Sequence, residues 1–346
     1  MKTDGGEWAV IDVPLGRTIL ETALAEEIDY PHGCQAGNCG SCKSHLVEGK
    51  VEMSPYSDFA LSSEEKARGL ILACRSVPWS DCIVQPVDPE EAAVHASRRL
   101  TCRVSAIELA THDIRILRLE MVSGGPLEYT GGQYAELTFA DLPARDFSMA
   151  CAPGAGPLEF HIRLAPGGVV TTHILEALAV GDVVEVRGPM GTAHYRARHR
   201  GPILLMAGGS GLAPIKAIVE SAFATHARQD MHLYFGARSE RDIYLEDRFE
   251  ELAQAHPNLT YTAVLSEPDG PTERRTGFLA DAVAADFTDL DGFKAYLAGP
   301  PVMVESCTRA VIAKGLKRRD CHADAFYTEA EKKDMGSAQA IKGAQT

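Results

Sequence analysis

The sequence predicts a multidomain chain in three parts: a small α+β module, an antiparallel β-barrel and an α/β domain. Three observations lead there. Cysteines 34, 39 and 42 crowd one loop, with Cys74 standing alone beyond it. From about residue 100 to 199, short strand-like runs alternate with Gly and Pro turns. From Ile203 onward, apolar runs ending in glycine alternate with helical periodicity. A chain of 346 residues has room for two or three separate cores.

In the first part, residues 7–15 alternate as a strand would, with Trp8, Val10, Ile11 and Val13 on one pattern. Thr18 followed by Glu21 is a capping box, and Leu20, Ala23, Leu24 and Ile28 give the helix its apolar face. After the cysteine loop come a strand at Ser44–Val47, a capped turn at Ser62 with Glu65, the run Leu70–Ala73 and a last strand, Asp81–Val84. Pro86 to Ser97, with two prolines and the Glu90-Glu91 pair, reads as a linker. The domain limits that follow are 1–97, 98–199 and 200–328, with a disordered tail over 329–346.

Cys34, Cys39, Cys42 and Cys74 have the C-x4-C-x2-C…C spacing of a plant-type [2Fe–2S] site. Four thiolates must converge from a loop that wraps the cluster closely, and Gly33, Gly37 and Gly40 let the backbone do so. A structural zinc site is the alternative, but it would show two short knuckles rather than three cysteines in one loop. Nine cysteines is an odd number in a long chain and fits a disulfide framework worse. Cys82, Cys102, Cys151, Cys307 and Cys321 lack ligand spacing and read as small apolar residues or surface thiols.

In the barrel, strands are expected at Thr101–Leu109, Ile114–Met121, Gln133–Phe139, Leu158–Leu164 and Val183–Arg187. Arg145-Asp146-Phe147-Ser148-Met149 puts a guanidinium, a ring and a hydroxyl on one short strand. Gly167-Gly168-Val169-Val170-Thr171 leads into a helix at Ile174–Leu178. A glycine turn opening a helix offers free N–H groups to an anion, although most such turns are only turns. In the last part, the strand from Ile203 runs into Gly208-Gly209-Ser210-Gly211 and then a helix with Pro214 in its first turn. Strands His232–Phe235, Leu259–Val264 and Lys294–Leu297 and helices at Leu245–Ala255 and Val302–Lys314 follow, the last stopped by Gly315. Ligands of such sheets sit at the carboxyl ends of strands, where Gly208–Gly211, Gly236–Arg241 and Ala298–Pro301 fall. Pro214 stands where the dinucleotide fingerprint has its third glycine, so the loop alone is a weak signal.

A net charge of −14 excludes a nucleic-acid partner on electrostatic grounds. Residues 1–97 carry 16 acidic against 7 basic side chains. That surface either steers a basic or mixed partner or merely keeps the chain soluble. The N-terminal residues lack the pattern of a signal peptide and no apolar run is long enough for a membrane span, so the expectation is a cytoplasmic protein with no membrane partner.

Taken together, these stretches resemble the ferredoxin–flavin reductase components of bacterial ring-hydroxylating dioxygenases, most nearly the naphthalene-dioxygenase type. The resemblance runs over about residues 10–328. It is carried by the cysteine spacing, Thr111–Arg115, Gly132-Gln133-Tyr134, Phe160–Arg163, Gly188–Ala193, Tyr234–Ser239 and His322–Tyr327. It implies a β-grasp [2Fe–2S] ferredoxin, an antiparallel FAD-binding barrel and a Rossmann-like nicotinamide nucleotide domain. By the same resemblance Arg145, Phe147, Ser148, Met149, His161, Arg163, Gly168, Val169, Val170, Thr171 and Phe326 fall at the FAD. Arg145 would pair with the pyrophosphate, Phe147 would stack on the isoalloxazine, and Ser148, near its reactive nitrogen, is the one candidate catalytic side chain. Gly208, Gly209, Ser210, Gly211, Pro214, Gly236, Arg238, Ser239, Arg241, Gly299 and Pro300 fall at the nicotinamide nucleotide. Phe147 stands where the family usually has Tyr, Thr171 replaces a common Ser, and Ala298 replaces a Cys that many members carry.

The implied activity is that of an NAD(P)H-dependent oxidoreductase. The chain takes a hydride from NADH at FAD and passes electrons singly through the cluster to a Rieske ferredoxin or a terminal oxygenase. Arg238, Ser239 and Arg241 favour a 2′-phosphate and Glu240 and Asp242 oppose one, so the reading is NADH with NADPH possible. A reductase of the same build serving a soluble di-iron monooxygenase is the alternative, and a non-catalytic redox sensor a more remote one.

Overall fold

The computed structural model describes residues 9–26, 28, 30–58, 60–87, 95–328 and 331. They fall into two compact units, one drawn from residues below 95 and from 327 on, the other from residues 95–326. Among the described residues no helix is long and apolar enough to cross a membrane.

In the first unit, helix α1 (Ile19–Ala25) starts at Thr18, which forms the expected capping box with Glu21. Its buried Ile19, Leu20 and Ala23 pack on Ile71, Leu72 and Val84. The sheet beneath is antiparallel, in the order β3 (Leu70–Leu72), β1 (Lys43–Glu48), β5 (Ile83–Pro86). Helix α2 (Ser63–Ala67) carries a second capping box, Ser62 with Glu65. Strands β2 (Val51–Met53) and β4 (Ser76–Pro78) pair separately, a ribbon the sequence did not suggest. The expected strand over 7–15 is corrected: its first two residues lie outside the described residues, and residues 9–15 form no strand. Val10 and Leu15 are almost fully exposed, so an alternating pattern without a partner strand stays irregular. The linker's residues 88–94 and all of the 329–346 tail except Glu331 lie outside the described residues.

The second unit holds two sheets. The first contains β6 (Arg98–Leu109), β7 (Ile114–Ser123), β8 (Tyr134–Phe139), β9 (Arg145–Ser148), β10 (Leu158–Arg163) and β11 (Val183–Met190), in the order β10-β7-β6-β11-β8-β9. A bridge between Met149 and Phe160 and the 2.7 Å bond from Ala150 N–H to Glu159 O join its two outer strands, closing the barrel. Helix α3 (Val169–Glu176) begins five residues before the helix expected at Ile174. Leu100, Val104, Leu117, Leu137, Phe139 and Phe160 fill the barrel.

The second sheet is wholly parallel, in the order β15 (Arg275–Thr276), β14 (Leu259–Leu265), β13 (Met231–Ala237), β12 (Ile203–Gly208), β16 (Lys294–Gly299), β17 (Cys321–Ala325). Helices α4 (Leu212–Ala224), α5 (Glu246–Ala255), α6 (Leu279–Asp286) and α7 (Pro301–Ala313) belong to it. All six residues of β12 are buried, as a central parallel strand requires. The strand order reverses between β12 and β16, which makes their carboxyl ends the ligand-binding crevice. Helix α6 and strand β17 are additions to the sequence reading.

Where the end of the barrel meets this sheet, His194 and Arg196 are buried. Arg196 donates to His194 Nδ1 (2.5 Å) and to the carbonyls of His194 (2.7 Å) and Thr192 (2.9 Å). Burial, and then the charge of Arg196, pushes His194 down to about 3. An imidazole depressed from its usual value of about 6.5 adds stability above that pH and loses it as the pH falls toward 3. We expect unfolding to become easier by about 2 kcal/mol between pH 6.5 and 5 through this group alone. Urea midpoints measured across that range check it, and His194→Asn, which keeps an acceptor for Arg196, flattens the profile.

Candidate functional site

Strand register builds the first site. Lys43 pairs with Leu72 across β1 and β3, and Ala73 N–H donates to Cys42 O at 3.1 Å. Cys42 and Cys74, 32 residues apart, therefore emerge side by side, their sulfurs 3.1 Å apart. Gly37 and Gly40 hold left-handed conformations (φ +75° and +79°), and a Cβ on Gly40 would stand 2.9 Å from Ala60 O. The loop thus folded aims the N–H groups of Ala36, Asn38 and Cys39 at Cys34 Sγ, at 3.3–3.4 Å, and that of Cys34 at Cys39 Sγ at 3.4 Å.

The thiols form two pairs, Cys34 with Cys39 and Cys42 with Cys74. The hydrogen bond from Cys39, aided by backbone N–H groups and opposed by burial, lowers Cys34 to about 7. Cys39 is raised by the same bond and by burial, and Cys74 by its bond to Cys42 and by burial. Four thiols held this close cannot all ionise unless cations take the charge, and N–H groups already solvate the sulfurs. The donor set fits a [2Fe–2S] cluster, with one pair for each iron. Among the described residues all nine cysteines are free, and the five that do not belong to this set of four are buried except for half-buried Cys82.

In the barrel, Ser148 is buried with its hydroxyl 3.5 Å from Asp324, Phe147 is half-buried against the barrel core, and Arg145 is half-buried with Nη1 donating to Ala144 O. Met149 is sealed in the core. Gly168 caps α3 without a side-chain hydrogen bond, so the first-turn N–H groups over Val169–Thr171 remain for an anion. Val169 faces outward and Val170 inward, while Thr171 Oγ1 accepts from Ala165 N–H (3.1 Å) and fixes the turn. This arrangement suits a pyrophosphate. His161 is placed differently: its ring is buried and both nitrogens are engaged, by Glu159 and Tyr244 at 3.1 Å each. Phe326 packs at the edge of the sheet core, its N–H donating to Gly299 O (2.9 Å).

At the strand switch point lies a cavity of about 440 Å³. Of the residues expected there, Gly208, Gly209, Gly236, Arg238 and Pro300 line it, joined by Arg163 from the barrel. Gly211 and Gly299 are buried in the floor instead. A Cβ on Gly211 would stand 2.1 Å from Ala298 O, and one on Gly299 2.6 Å from Gly208 O. Pro214 is buried inside α4, and Ser239 is buried in a 3-10 turn that Asp242 caps through its N–H at 3.0 Å. Ser210 and Arg241 do not line the cavity. Glu240 is taken up by Arg274 at 2.7 Å.

The sequence reading missed several lining residues, among them Asp113, Ser266, Glu267 and Phe278. Ser266 and Glu267 directly follow β14, so the rule placing ligands at strand ends would have found them. Asp113 accepts from Arg163 Nε (2.7 Å) and Thr111 (2.9 Å). Burial alone would raise its pKa, and these bonds hold it below the usual carboxylate range. Asp242 Oδ1 is buried without a hydrogen-bond partner, with His112 3.7 Å and Arg238 3.8 Å away. An orphaned acceptor in a cavity wall is what a ribose hydroxyl would satisfy.

We expect Cys39→Ala to lose its iron, its acid-labile sulfide and the visible absorbance they give. Its FAD content and the thermal transition of the second unit should match wild type, as metal analysis and calorimetry would show.

Comparison with known families agrees with this geometry. The 2Fe-2S iron-sulfur cluster binding domain matches residues 2–78, the oxidoreductase FAD-binding domain residues 101–195 and the oxidoreductase NAD-binding domain residues 205–309. The ferredoxin–NAD(P)+ reductase component of naphthalene 1,2-dioxygenase/salicylate 5-hydroxylase systems from a Ralstonia species is 38% identical, covering 92% of this chain and 95% of its own length. That of the Pseudomonas putida naphthalene 1,2-dioxygenase system is 36% identical, with coverages of 92% and 96%. The crystal structure of an Amycolatopsis cytochrome P450 reductase aligns with a TM-score of 0.74 at 35% identity, over 91% of this chain and 96% of that one. With three domain families matched in order and relatives aligned over nearly their whole length, the chain belongs to the iron–sulfur flavoprotein reductases of the naphthalene-dioxygenase type, oxidoreductases that transfer electrons through FAD and a [2Fe–2S] cluster.

Proposed function

We propose that this chain draws electrons from NADH and delivers them to a Rieske ferredoxin or directly to the terminal oxygenase of an aromatic-ring-hydroxylating system in the cytoplasm. The observation that carries this reading is the presence, in one chain, of four converging thiols and a glycine-walled cavity at a strand switch point. The names of the relatives support the acceptor class. When bound, the flavin supplies the exchange between a two-electron hydride and single electrons, which the cluster carries.

The residues divide the remaining work. Arg145 and the first turn of α3, from Gly168 through Val169 and Val170 to Thr171, hold the pyrophosphate of FAD by charge and by N–H donation. Phe147 provides a flat apolar face for the isoalloxazine, and Ser148, buried and near Asp324, offers a hydroxyl at its edge. Phe326, packed at the edge of the sheet core, would lie near the flavin from the C-terminal end. Gly208 and Gly209, which line the cavity without side chains, allow a nucleotide to lie against the backbone, and Gly236, Arg238 and Pro300 complete the wall. Cys34 and Cys39 would hold one iron of the cluster, and Cys42 and Cys74 the other.

The cavity favours NADH. Asp242 has a buried carboxylate oxygen with no hydrogen-bond partner. It suits a 2′-hydroxyl donor and repels a 2′-phosphate, while Glu267 adds a second carboxylate to the same wall. Arg238 is half-exposed and tethered toward Asp242, which leaves it a poor phosphate clamp. We expect kcat/KM for NADH to exceed that for NADPH by at least about tenfold, and Asp242→Asn, which keeps an oxygen to cap Ser239, to narrow the ratio about fivefold or more. A tenfold preference for NADPH in the wild type overturns the assignment.

An anaerobic NADH titration followed by visible absorbance tests the pathway as a whole. Flavin and iron–sulfur bands should bleach together in the wild type, and only the flavin band in Cys39→Ala. Cytochrome c reduction that proceeds undiminished in Cys39→Ala would remove the cluster from the route. Turnover with a purified Rieske ferredoxin, compared with the oxygenase alone, decides which acceptor is direct.

A further inference from the structure

A row of buried polar side chains joins the barrel to the glycine loop, and neither cofactor assignment uses it. It begins at Lys216 on α4, whose ammonium contacts Ala150 O (2.9 Å), Glu159 (3.1 Å) and Glu220 (3.0 Å) and so commits all three protons. Glu159, in β10, also accepts from Arg118 Nε at 2.9 Å and meets His161 Nε2 at 3.1 Å. His161 Nδ1 lies 3.1 Å from the hydroxyl of Tyr244, and that hydroxyl donates to Gly209 O at 3.3 Å. The His161 and Tyr244 rings meet edge to face with centroids 5.4 Å apart, and Phe235 braces Tyr244 from the other side at 5.8 Å.

Proton bookkeeping gives the row a direction. Burial acts to raise Glu159, but His161 and Lys216 outweigh it and bring it to about 2, so it only accepts. Burial holds His161 below its usual value, so the neutral ring places its hydrogen on Nε2 toward Glu159. Nδ1 is then an acceptor at 3.1 Å, and the one proton of the Tyr244 hydroxyl is shared between it and Gly209 O at 3.3 Å, which keeps the hydroxyl beside the carbonyl. Gly209 is the residue whose freedom matters. It sits at φ +55°, between the end of β12 and the turn into α4, and it lines the cavity. A glycine in that region changes conformation at little cost, so its carbonyl needs an external partner to hold one orientation.

We propose that Tyr244 is a positioning residue for the nicotinamide nucleotide: through the Gly209 carbonyl it locks the left-handed glycine in the cavity wall, and His161, Glu159 and Lys216 hold Tyr244 from the barrel side. The proposal rests on the reading of this cavity as the nucleotide site. It ties the wall that receives the nucleotide to the barrel strand β10, so the two cofactors' supports move as one piece.

The test is calorimetric titration of FAD-loaded protein with NAD+, together with thermal melting and FAD content. In Tyr244→Phe the ring contacts stay and the hydroxyl goes. NAD+ affinity should fall about fivefold, the effect of one lost neutral hydrogen bond, while FAD content and melting temperature stay at wild-type values. Affinity unchanged within twofold overturns the proposal, and so does a loss matched by an equal loss of FAD. Should Tyr244→Phe melt early, the titration of both proteins is repeated at a lower temperature at which each is fully folded. The fivefold loss should persist there, and an affinity within twofold of wild type overturns the proposal. Failure of the wild type itself to bind NAD+ overturns the assignment of the cavity and this inference with it.

Discussion

The second unit depends on backbone meeting backbone at the strand switch point. Gly211 packs on the Ala298 carbonyl and Gly299 on that of Gly208, each so closely that a Cβ would overlap the oxygen. Only glycine permits this approach. Because backbone meets backbone at this end of β12 and β16, the chain turns through Gly209–Gly211 directly into α4, leaving the cavity above it. The barrel then supplies Arg163 to the same wall, oriented by Asp113. Remove the close approach and the floor rises, the cavity shrinks, and the salt-bridged arginine has nothing to face.

The first unit solves an electrostatic problem rather than a steric one. Gathering four thiols within bonding reach of one another is costly for their ionised forms. The loop offsets the cost with N–H groups around Cys34 and shares protons within each pair. Two capping boxes, at Thr18 and Ser62, fix the helices that flank the loop. Residues 1–97 carry an acidic excess, and the field it creates favours a basic or mixed docking face on an acceptor.

What could be read beforehand was whatever lies contiguously along the chain. The cysteine spacing, the glycine loop after a buried strand, and the capping boxes are local patterns with local physics, and each stands where the sequence places it. Alternation over 7–15 misled because a strand needs a neighbour, which pattern alone does not supply. The ribbon of β2 and β4 and the edge strand β17 are too short or too mixed to stand out. The charges at Glu240 and Asp242 were visible, but not that Arg274 claims the first while the second caps Ser239 and leaves an oxygen over. His161 and Tyr244 are 83 residues apart, and nothing short of a fold brings them together.

The pairing of Lys43 with Leu72 has a consequence for biogenesis. Side chains alternate across a strand, so a slip of one residue between β1 and β3 would turn Cys42 and Cys74 to opposite faces. A chain with that error cannot acquire its inorganic centre, whatever the state of its other halves. Metal loading thereby acts as proofreading: the only copies able to pass electrons onward through the inorganic centre are those whose strands were paired correctly.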